Sequence, residues 1–383
     1  MSDSSACRIG FGRKTINPDL GISLGGHFHE RPNTGVLDDL FVKVVLIQTG
    51  DVLTGVISYD LLLLSDTLLK RVRAALSRRG FAFAKTIPLC CTHTHTSPDL
   101  GENFDPAAKY PEYQKYVAKR TVEAVEAALA DSAPAEILAG SVMDNPYAFN
   151  RRFWMKNGAV VTNPGMMNPD IVRPEGDVDR EIAVLAFRRN GRIAGVIANI
   201  ANHTDTIGGD KVSADWPGHM ERTIQKKLGG EVLVMTLIRP SGNVNHFNVK
   251  DPTQRGYGYD ISTGLGRNYA RIVLEVLDKA RPIGSADISL VTRSVTVRKR
   301  KFTDQEIVII KTFAEMINTA IERVDLYQKT KKQLLHLESL HTIDQAITSI
   351  YDIQVVNNII LDQTCRELEA DAADILILNT PAN

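Results

Sequence analysis

Two histidines separated by a single residue follow an apolar run in the first third of the chain. His93 and His95 lie in Thr92-His-Thr-His-Thr-Ser-Pro98, directly after Ile87–Cys91, a run typical of a buried strand. If the strand continues, both imidazoles lie on one face of it, because alternate side chains of a strand share a face. Two such imidazoles can bind a metal ion, or one can bind it while the other transfers a proton. A polar loop without a chemical role is the competing interpretation.

Two further histidines follow apolar runs in the same way. His203 comes after Ile193–Ile200, and His246 comes after Val232–Leu237. Ligands of open α/β sheets collect at the carboxyl ends of the strands. Three histidine-bearing loops in that position therefore favour a metal site, with His203 as a further ligand candidate. His219, just ahead of a predicted helix, is expected instead to be a polar residue at the helix start.

An arginine and a second pair of histidines complete the candidate residues. Arg151 interrupts a Pro- and Asn-rich loop, where its forked donors could hold a substrate oxygen or carboxylate. Ion pairing with an aspartate explains this arginine equally well. His27 and His29 form another His-x-His motif on an early glycine-containing loop, and we expect them to line a pocket.

These residues must be positioned by strands and helices that alternate along the chain. The strands are predicted from β-branched runs, at Phe41–Gln48, Val52–Ser58, Ile87–Cys91, Ile182–Phe187, Ile193–Ile200 and Val232–Leu237. The helices are predicted from apolar periodicity, at Leu68–Arg79, Tyr113–Ala130, Met220–Leu228 and Gly264–Ala280. The alternation predicts an α/β domain with a layered, mixed sheet that is mostly buried.

The composition is that of an ordinary globular protein. The chain has 383 residues, of which 43% are hydrophobic and 23% charged, and its formal net charge is zero. The balanced charge argues against nucleic acid or an anionic membrane as a partner. We find neither a membrane-spanning apolar run nor a signal-peptide signature at Met1–Ala6, and we expect a cytoplasmic protein. The four cysteines have no Cys-x-x-Cys spacing, which predicts free thiols.

Glycine usage divides the chain near the basic run Arg298–Lys301. All 27 glycines precede Lys301, and the remaining residues contain a single proline. The predicted domains are therefore 1–298, a helical connector at 299–350, and a further segment at 351–383. In the connector, Thr303–Glu306 is typical of a helix capping box. Apolar residues then recur over Ile307–Val324 at steps of three and four, which predicts a coiled-coil-like helix and a possible homodimer.

Five segments of the first domain resemble the neutral/alkaline, non-lysosomal ceramidase family. Thr92–Pro98 resembles the family's ATHTHSGP stretch, and Asn150-Arg-Arg152 is similar to its NRS segment. His203-Thr204 falls where the family has its second metal histidine, and Ser213-Ala-Asp215 resembles SGD. Gly242-Asn-Val-Asn-His246 is similar to the GDVSPN loop, and still closer to the GDVNH of shorter bacterial relatives. The segments occur in the family's order and cover most of residues 8–280.

This resemblance implies a zinc-dependent amidohydrolase that cleaves the N-acyl bond of ceramide or of a related amide. It implies zinc ligation by His93 and His203, a proton-transferring role for His95 and a substrate contact for Arg151. The remaining candidates comprise one catalytic residue, Asn245, and four residues expected to bind substrate, namely His27, Asp215, Asn243 and His246.

The chain also departs from the family pattern. Asn243 and Asn245 stand where ceramidases have Asp and Ser. In the family a Glu and a Tyr that complete the zinc site come from well downstream of this loop, where the present chain has the connector helix instead. Because a catalytic zinc usually takes three protein ligands, we expect this chain to hydrolyse ceramide poorly or not at all.

The tail resembles a different family. Phe302–Tyr327 is similar to the closing helix of GAF sensor domains, and Asp371–Leu378 resembles the opening strand of another such domain. This implies a connector between two sensors. It also supplies an alternative function, in which the chain is a signalling fusion whose first domain binds a ligand without turnover.

Overall fold

The computed structural model divides the chain into two compact units, Met1–Arg293 and Ser294–Asn383. In the first unit it describes residues 7–27, 29–101 and 109–283. In the second unit, the described positions are 295–296, 323, 326–327, 329–331, 333–338, 340–341, 359, 361 and 363. The predicted boundary between 350 and 351 lies outside these residues.

The described part of the first unit contains strands, four α-helices and one short 3₁₀ helix. The strands are β1 Arg8–Thr15, β2 Gly35–Val36, β3 Phe41–Thr49, β4 Val52–Tyr59, β5 Leu89–Cys91, β6 Ala133–Pro134, β7 Glu136–Val142, β8 Phe149–Asn150, β9 Arg152–Met155, β10 Val160–Thr162, β11 Ile171–Pro174, β12 Ile182–Arg189, β13 Arg192–Ile200, β14 Lys211–Val212, β15 Leu233–Ile238, β16 Val244–Asn245 and β17 Arg281–Pro282. The helices are α1 Asp66–Arg78, α2 Pro111–Ala130, α3 Asp215–Leu228 and α4 Tyr259–Lys279, with the 3₁₀ helix at Ala82–Lys85.

The first large sheet has the strand order β5-β4-β3-β1-β6 and is covered on one face by α1 and α2. Its pairs are antiparallel except β4 with β5, which run parallel. Alternate residues of β3, such as Val42 and Val44, pack in one apolar core with Leu68 of α1 and Val117 of α2. Helix α1 begins where the Ser65 side chain accepts a hydrogen bond from the Leu68 backbone N–H.

The second large sheet has the order β15-β13-β12-β7-β17 and carries α3 and α4 on one face. Strands β13 and β15 are parallel, and the other pairs are antiparallel. Val184 and Val196 of this sheet share an apolar core with Trp216 and Met220 of α3 and with Tyr269 of α4. The mixed α/β class that the sequence predicts is therefore confirmed.

The two sheets pack against each other through their remaining faces. Ile9 and Val45 of the first sheet form a third apolar cluster with Phe187, Ile197 and Met235 of the second. The result is four layers, in the order helices, sheet, sheet and helices. The sequence predicts a buried sheet but not this pairing, because strands buried on both faces show continuous apolar runs whichever layer covers them.

An ion cluster lies buried near the faces where the sheets meet. The Lys43 ammonium group is 2.9 Å from an Asp60 carboxylate oxygen and 2.6 Å from one of Glu221, and the three side chains are only 1%, 1% and 7% exposed. The Glu221 carboxylate also accepts hydrogen bonds from the backbone N–H and the hydroxyl of Thr236. These contacts connect β3 and the residue that follows β4 in the first sheet to α3 and β15 of the second.

All predicted strands and helices of the first unit are present, with changes at their ends. Helix α3 begins at Asp215, five residues before the predicted Met220, since Pro217 is tolerated in the first turn of a helix. Strands β1 and β7 were not predicted, although each is a central or near-central member of its sheet. Among the described residues, no helix is both long and apolar enough to cross a membrane.

The predicted tail is described at few positions. Leu334, Leu337 and Leu340 are helical and exposed. The predicted coiled-coil run Ile307–Val324 lies outside the described residues except for Arg323, and so does the strand predicted near the chain end. Self-association through this tail stays a prediction.

Candidate metal centre

Three histidines from two different loops come together in the first unit. The rings of His93, His95 and His203 form a nearly equilateral triangle, with centroid separations of 5.1, 4.8 and 4.9 Å. The two loops follow β5 and β13, and they are joined by hydrogen bonds. The His95 backbone N–H donates to the Thr204 carbonyl at 3.1 Å, and the Thr204 hydroxyl donates to the Thr92 carbonyl at 2.6 Å.

The backbone brings His93 and His95 together by a turn and not by strand alternation. Strand β5 ends at Cys91, and His93 adopts a left-handed conformation with φ of 63°. The strand does not continue through His93, so the condition under which both rings would share a strand face is not met, although the rings do converge. A non-glycine residue in this conformation carries backbone strain, a feature that clusters at functional sites.

The outer ring nitrogens of two histidines are held by backbone carbonyl groups. His93 Nδ1 lies 2.8 Å from the Leu62 carbonyl oxygen, and His203 Nδ1 lies 3.2 Å from that of Ser241. A carbonyl oxygen only accepts hydrogen bonds, so both Nδ1 atoms carry the hydrogen and both Nε2 atoms keep a lone pair. His203 Nε2 accepts a hydrogen bond from His95 Nε2 at 3.0 Å, so these two ring edges meet directly.

The third histidine faces an aspartate on its other side. His95 Nδ1 is 3.7 Å from Asp205 Oδ1, and both atoms are buried without a hydrogen-bond partner among the described residues. Unpaired buried polar atoms are rare in native proteins because each one costs free energy. Both atoms are therefore able to take a further partner beyond the described residues.

Burial keeps these imidazoles uncharged. It lowers the pKa of His95 to about 3, and the neighbouring His93 adds to the effect. Burial likewise lowers the pKa of His203 to about 3, with a further contribution from the positive charge of Arg151. Neutral imidazole is the form that binds a metal ion, so the site is prepared for a cation at neutral pH.

The histidines border a cavity of about 820 Å³. Its described lining comprises Gly26, His27, Leu62, Leu63, His93, His95, Asp99, Gly101, Lys109, Arg151, Thr162, His203 and Asp205. The Arg151 Nε–H donates to the Gly242 carbonyl at 2.9 Å, and the Arg151 backbone N–H donates to the Asn243 carbonyl at 2.8 Å. The loop at 242–243 thus positions this arginine beside the histidines.

The other predicted site residues do not line the cavity. Asp215 is completely buried and accepts hydrogen bonds from the Thr206 backbone N–H at 2.9 Å and the Ser262 hydroxyl at 3.0 Å. The Asn245 side-chain amide donates a hydrogen bond to the Asn163 side chain at 2.8 Å, and that of Asn243 donates one to the Asp177 carbonyl at 3.3 Å. The His246 ring forms a hydrogen bond with the Gly256 carbonyl. These contacts shape the surrounding loops, and direct substrate contact by these residues stays a prediction.

Two charged residues of the site were not assigned a role from the sequence. Asp205 follows His203 by two positions, and that spacing is the signal that could have identified it. Arg31, which is buried, donates hydrogen bonds to the carbonyl oxygens of His95 at 2.6 Å and of Gly209 at 2.8 Å. Arg31 thereby joins the His95 loop to the segment that follows β13. The sequence signal that could have identified it is its position next to the His27–His29 motif.

A glycine next to His95 leads to a testable prediction. Gly26 has φ of 88°, and a Cβ atom at this position would lie 2.5 Å from the His95 ring. We expect Gly26→Ala to displace His95 from the histidine cluster and to weaken binding of added Zn²⁺, used as a probe ion, measured by competition with a chelator. Gly21→Ala is the matched control, because Gly21 has φ of 84° and open space around it. Both variants should lose about 1–2 kcal/mol of stability from the left-handed backbone. Equal zinc affinity in the two variants would contradict the prediction.

Comparison with known proteins identifies the fold. No family model matches the chain, and no curated protein matches it significantly. Among solved structures, neutral ceramidase from Pseudomonas aeruginosa is 19% identical with a TM-score of 0.59, over 72% of this chain and 45% of that one. A ceramidase complexed with C2 gives 18% identity and the same TM-score, over 72% of this chain and 44% of that one. The chain spans less than half the length of these structures, and it has the fold of the part of neutral ceramidase that it covers.

Proposed function

We propose that the first unit is a zinc-dependent hydrolase that cleaves the amide bond of an N-acyl compound, either ceramide or a related small amide. The observation that carries this proposal is the convergence of His93, His95 and His203 beside a cavity that also contains Arg151. The fold shared with neutral ceramidases and the matched sequence segments support the same reaction class.

The residues present fit a zinc ion. His93 and His203 each turn a neutral Nε2 atom towards the shared space, while their Nδ1 atoms are held by carbonyl groups. This combination of an inner ligand atom and an outer hydrogen bond is the usual arrangement of metal-binding histidine. A bound zinc ion supplies Lewis acidity, which polarises a carbonyl group and makes water more acidic.

The reaction needs a group that orients the amide. Arg151 is anchored by its Nε–H on Gly242, and among the described residues the Asp205 carboxylate interacts with it electrostatically without a close ion pair. Its terminal N–H groups are therefore suited to a carbonyl or carboxylate oxygen of the substrate. In the proposed hydrolysis a water oxygen bonds to the carbonyl carbon, the C–N bond breaks, and the leaving nitrogen takes a proton.

The cavity offers both charged groups and apolar surface. Asp99, Lys109, Arg151 and Asp205 border it, and among the described residues the large apolar side chains there are Leu62 and Leu63. The charged groups can hold the polar part of an N-acyl compound, whereas a long acyl chain needs extended apolar surface to compensate for removal from water, more than two leucine side chains provide. We therefore expect short-chain N-acyl amides to be cleaved faster than long-chain ceramide.

The experiment compares the hydrolysis of short- and long-chain N-acyl sphingosines and N-acyl amino acids by the full chain. The protein is stripped of metal with a chelator and then reloaded with zinc. We expect hydrolysis to disappear on stripping and to return with zinc, with the highest kcat/KM for a short-chain substrate. Absence of turnover with every substrate in the reloaded protein would contradict the proposed function. Turnover of long-chain ceramide at the rate of an intact neutral ceramidase would contradict the expected preference for short acyl chains.

The alternative function, a signalling fusion that binds a ligand without turnover, rested on the resemblance of the tail to GAF domains. The structural comparisons give no support to that resemblance. A dimer formed by the tail likewise has no supporting observation.

A further inference from the structure

We infer that a basic pocket between α3 and α4 binds a small, soluble molecule that carries several phosphate groups. The described lining of this basic pocket comprises His219, Arg222, Thr223, Lys226, Lys227, Thr263 and Arg267. None of these residues borders the cavity beside the histidine cluster. The basic pocket is therefore a second site, and the inference does not depend on the proposed hydrolysis.

Helical spacing gathers the lining residues on the facing sides of two helices. Residues four positions apart share one face of a helix, as do His219, Thr223 and Lys227 on α3 and Thr263 and Arg267 on α4. The two helices come close together at Gly266, where a Cβ atom would lie 2.5 Å from the Cβ atom of His219. The space left between them beyond this point has a volume of about 620 Å³, which is within the range of small-molecule sites.

The basic pocket has a strong positive charge. Arg222, Lys226, Lys227 and Arg267 are cations at neutral pH, and the part of the lining that the structure describes contains no carboxylate. The buried Asp38 carboxylate lies 2.6 Å from Arg222 Nη2 and neutralises that one charge. The other three cations form no ion pair with the described residues. In a chain whose net charge is zero, three uncompensated positive charges around one concave space attract a polyanion.

The helix dipole explains only part of this charge. Lys226 and Lys227 lie in the last turn of α3, where cations stabilise the negative end of a helix. Arg267 lies in the middle of α4, where the dipole offers no such stabilisation. Its charge borders the same space as the two lysines, and like charges repel one another unless an anion lies between them. A bound anion therefore accounts for the position of Arg267, which the dipole does not.

Hydrogen bonds hold Arg222 in a fixed orientation at the base of the pocket. Its Nη2 atom donates to Asp38 at 2.6 Å and to His219 Nδ1 at 2.9 Å. Burial lowers the pKa of His219 to about 4, so the ring is neutral and its Nε2 carries the hydrogen, 3.3 Å from the Thr263 hydroxyl oxygen. The Nε–H and Nη1 donors of Arg222 form no hydrogen bond with the described residues. They are left for an oxygen atom of a ligand.

The chemistry of the lining favours phosphate as the ligand group. A guanidinium group binds oxyanions through two parallel N–H donors, and lysine binds phosphate as a point charge. Three uncompensated charges match a ligand with more than one phosphate group, and the volume leaves room for a small organic part. A membrane presents phosphate groups as well, but the described lining has no large apolar side chain that could enter a bilayer. A soluble ligand is therefore the better match.

The test is calorimetric titration of the full chain with pyrophosphate, after metal and chelator have been removed so that no ion at the histidine cluster binds the probe. We expect one pyrophosphate per chain, with an affinity that falls as ionic strength rises. Arg267→Gln should weaken binding by about 10- to 100-fold, the loss typical of a hydrogen bond to a charged group. Arg271→Gln is the matched control, because Arg271 lies one turn further along α4, pairs with Glu275 and does not line the basic pocket. Its affinity for pyrophosphate should be unchanged.

Two results of the titration would overturn the inference. One is the absence of pyrophosphate binding by the unchanged protein, and the other is equal affinity in Arg267→Gln and Arg271→Gln. Circular dichroism checks that both variants fold, and Lys227→Gln should show the same loss if Arg267→Gln does not fold.

A second measurement separates a soluble ligand from a lipid surface. The protein is sedimented with vesicles of phosphatidylcholine and phosphatidic acid, and we expect no binding that depends on Arg267. Vesicle binding that is lost in Arg267→Gln, without binding of pyrophosphate, would overturn the soluble ligand and assign the pocket to a membrane surface. Amide hydrolysis is judged by its own assay, since it involves the residues around the other cavity.

Discussion

Replacing His203 by alanine is expected to remove most of the bound zinc and almost all amide hydrolysis. The side chain supplies an Nε2 lone pair from a ring that the Ser241 carbonyl holds in place. Loss of a direct ligand should exceed the 10- to 100-fold effect on affinity that is typical of residues behind the ligands, by roughly an order of magnitude or more. Zinc content is measured by atomic absorption, and turnover with the best short-chain amide.

His219→Ala is the control for this variant. His219 is also a mostly buried histidine with a lowered pKa, caused chiefly by burial, but it lies on α3 against Arg222 and Thr263 and does not line the cavity. The His219→Ala variant should therefore keep its bound zinc. If His203→Ala retained zinc while losing turnover, His203 would act on substrate and not on the metal.

Replacing Lys43 by methionine should produce the largest loss of stability. Methionine resembles lysine in length but leaves the Asp60 and Glu221 carboxylates buried with no neutralising charge. Removal of one partner from a buried ion pair typically costs about 3–5 kcal/mol. The free energy of unfolding, measured by urea denaturation, should fall by this amount, with zinc content unchanged in the protein that remains folded.

Two further variants test the cause of that loss. Lys115→Met breaks an ion pair with Glu112 whose side chains are 57% and 82% exposed, so its effect should be below about 1 kcal/mol. Combining Lys43→Met with Asp60→Asn and Glu221→Gln should recover part of the stability, because no unpaired charge is then buried. If the combined variant were no more stable than Lys43→Met alone, lost packing and not charge would explain the effect.

Secondary structure in the first unit was largely predictable because hydrophobic periodicity is a local property. Strand β3 was placed within one residue and α2 within two, since each combines a clear apolar pattern with distinct ends. Strand β1 was missed because it carries three charged residues and two glycines among its eight positions. Strand β1 nevertheless fits in the sheet because its two glycines, which lack Cβ atoms, allow the backbone of α2 to pack closely over it. This close approach depends on the tertiary structure and not on the local sequence.

The site was predictable in its residues but not in its geometry. His93 and His203 each follow an apolar strand, which is enough to suggest ligands at a sheet edge. The prediction for His95 assumed a continuing strand, whereas the left-handed turn at His93 determines where its ring lies. The motif predicts Asp215 as a site residue, and the structure adds that its carboxylate holds the loop after β13.

By itself the sequence determined the α/β class, the positions of most elements and the histidine-bearing loops, because each depends on residues close together along the chain. Only the tertiary structure decided that two sheets stack face to face and that Lys43 lies buried among carboxylates. It also decided that His95 meets His203, a residue 108 positions away, while its other nitrogen meets Asp205. Which nitrogen carries a proton and which is free for a metal depends on the partner at each ring edge, and those partners come from distant parts of the chain.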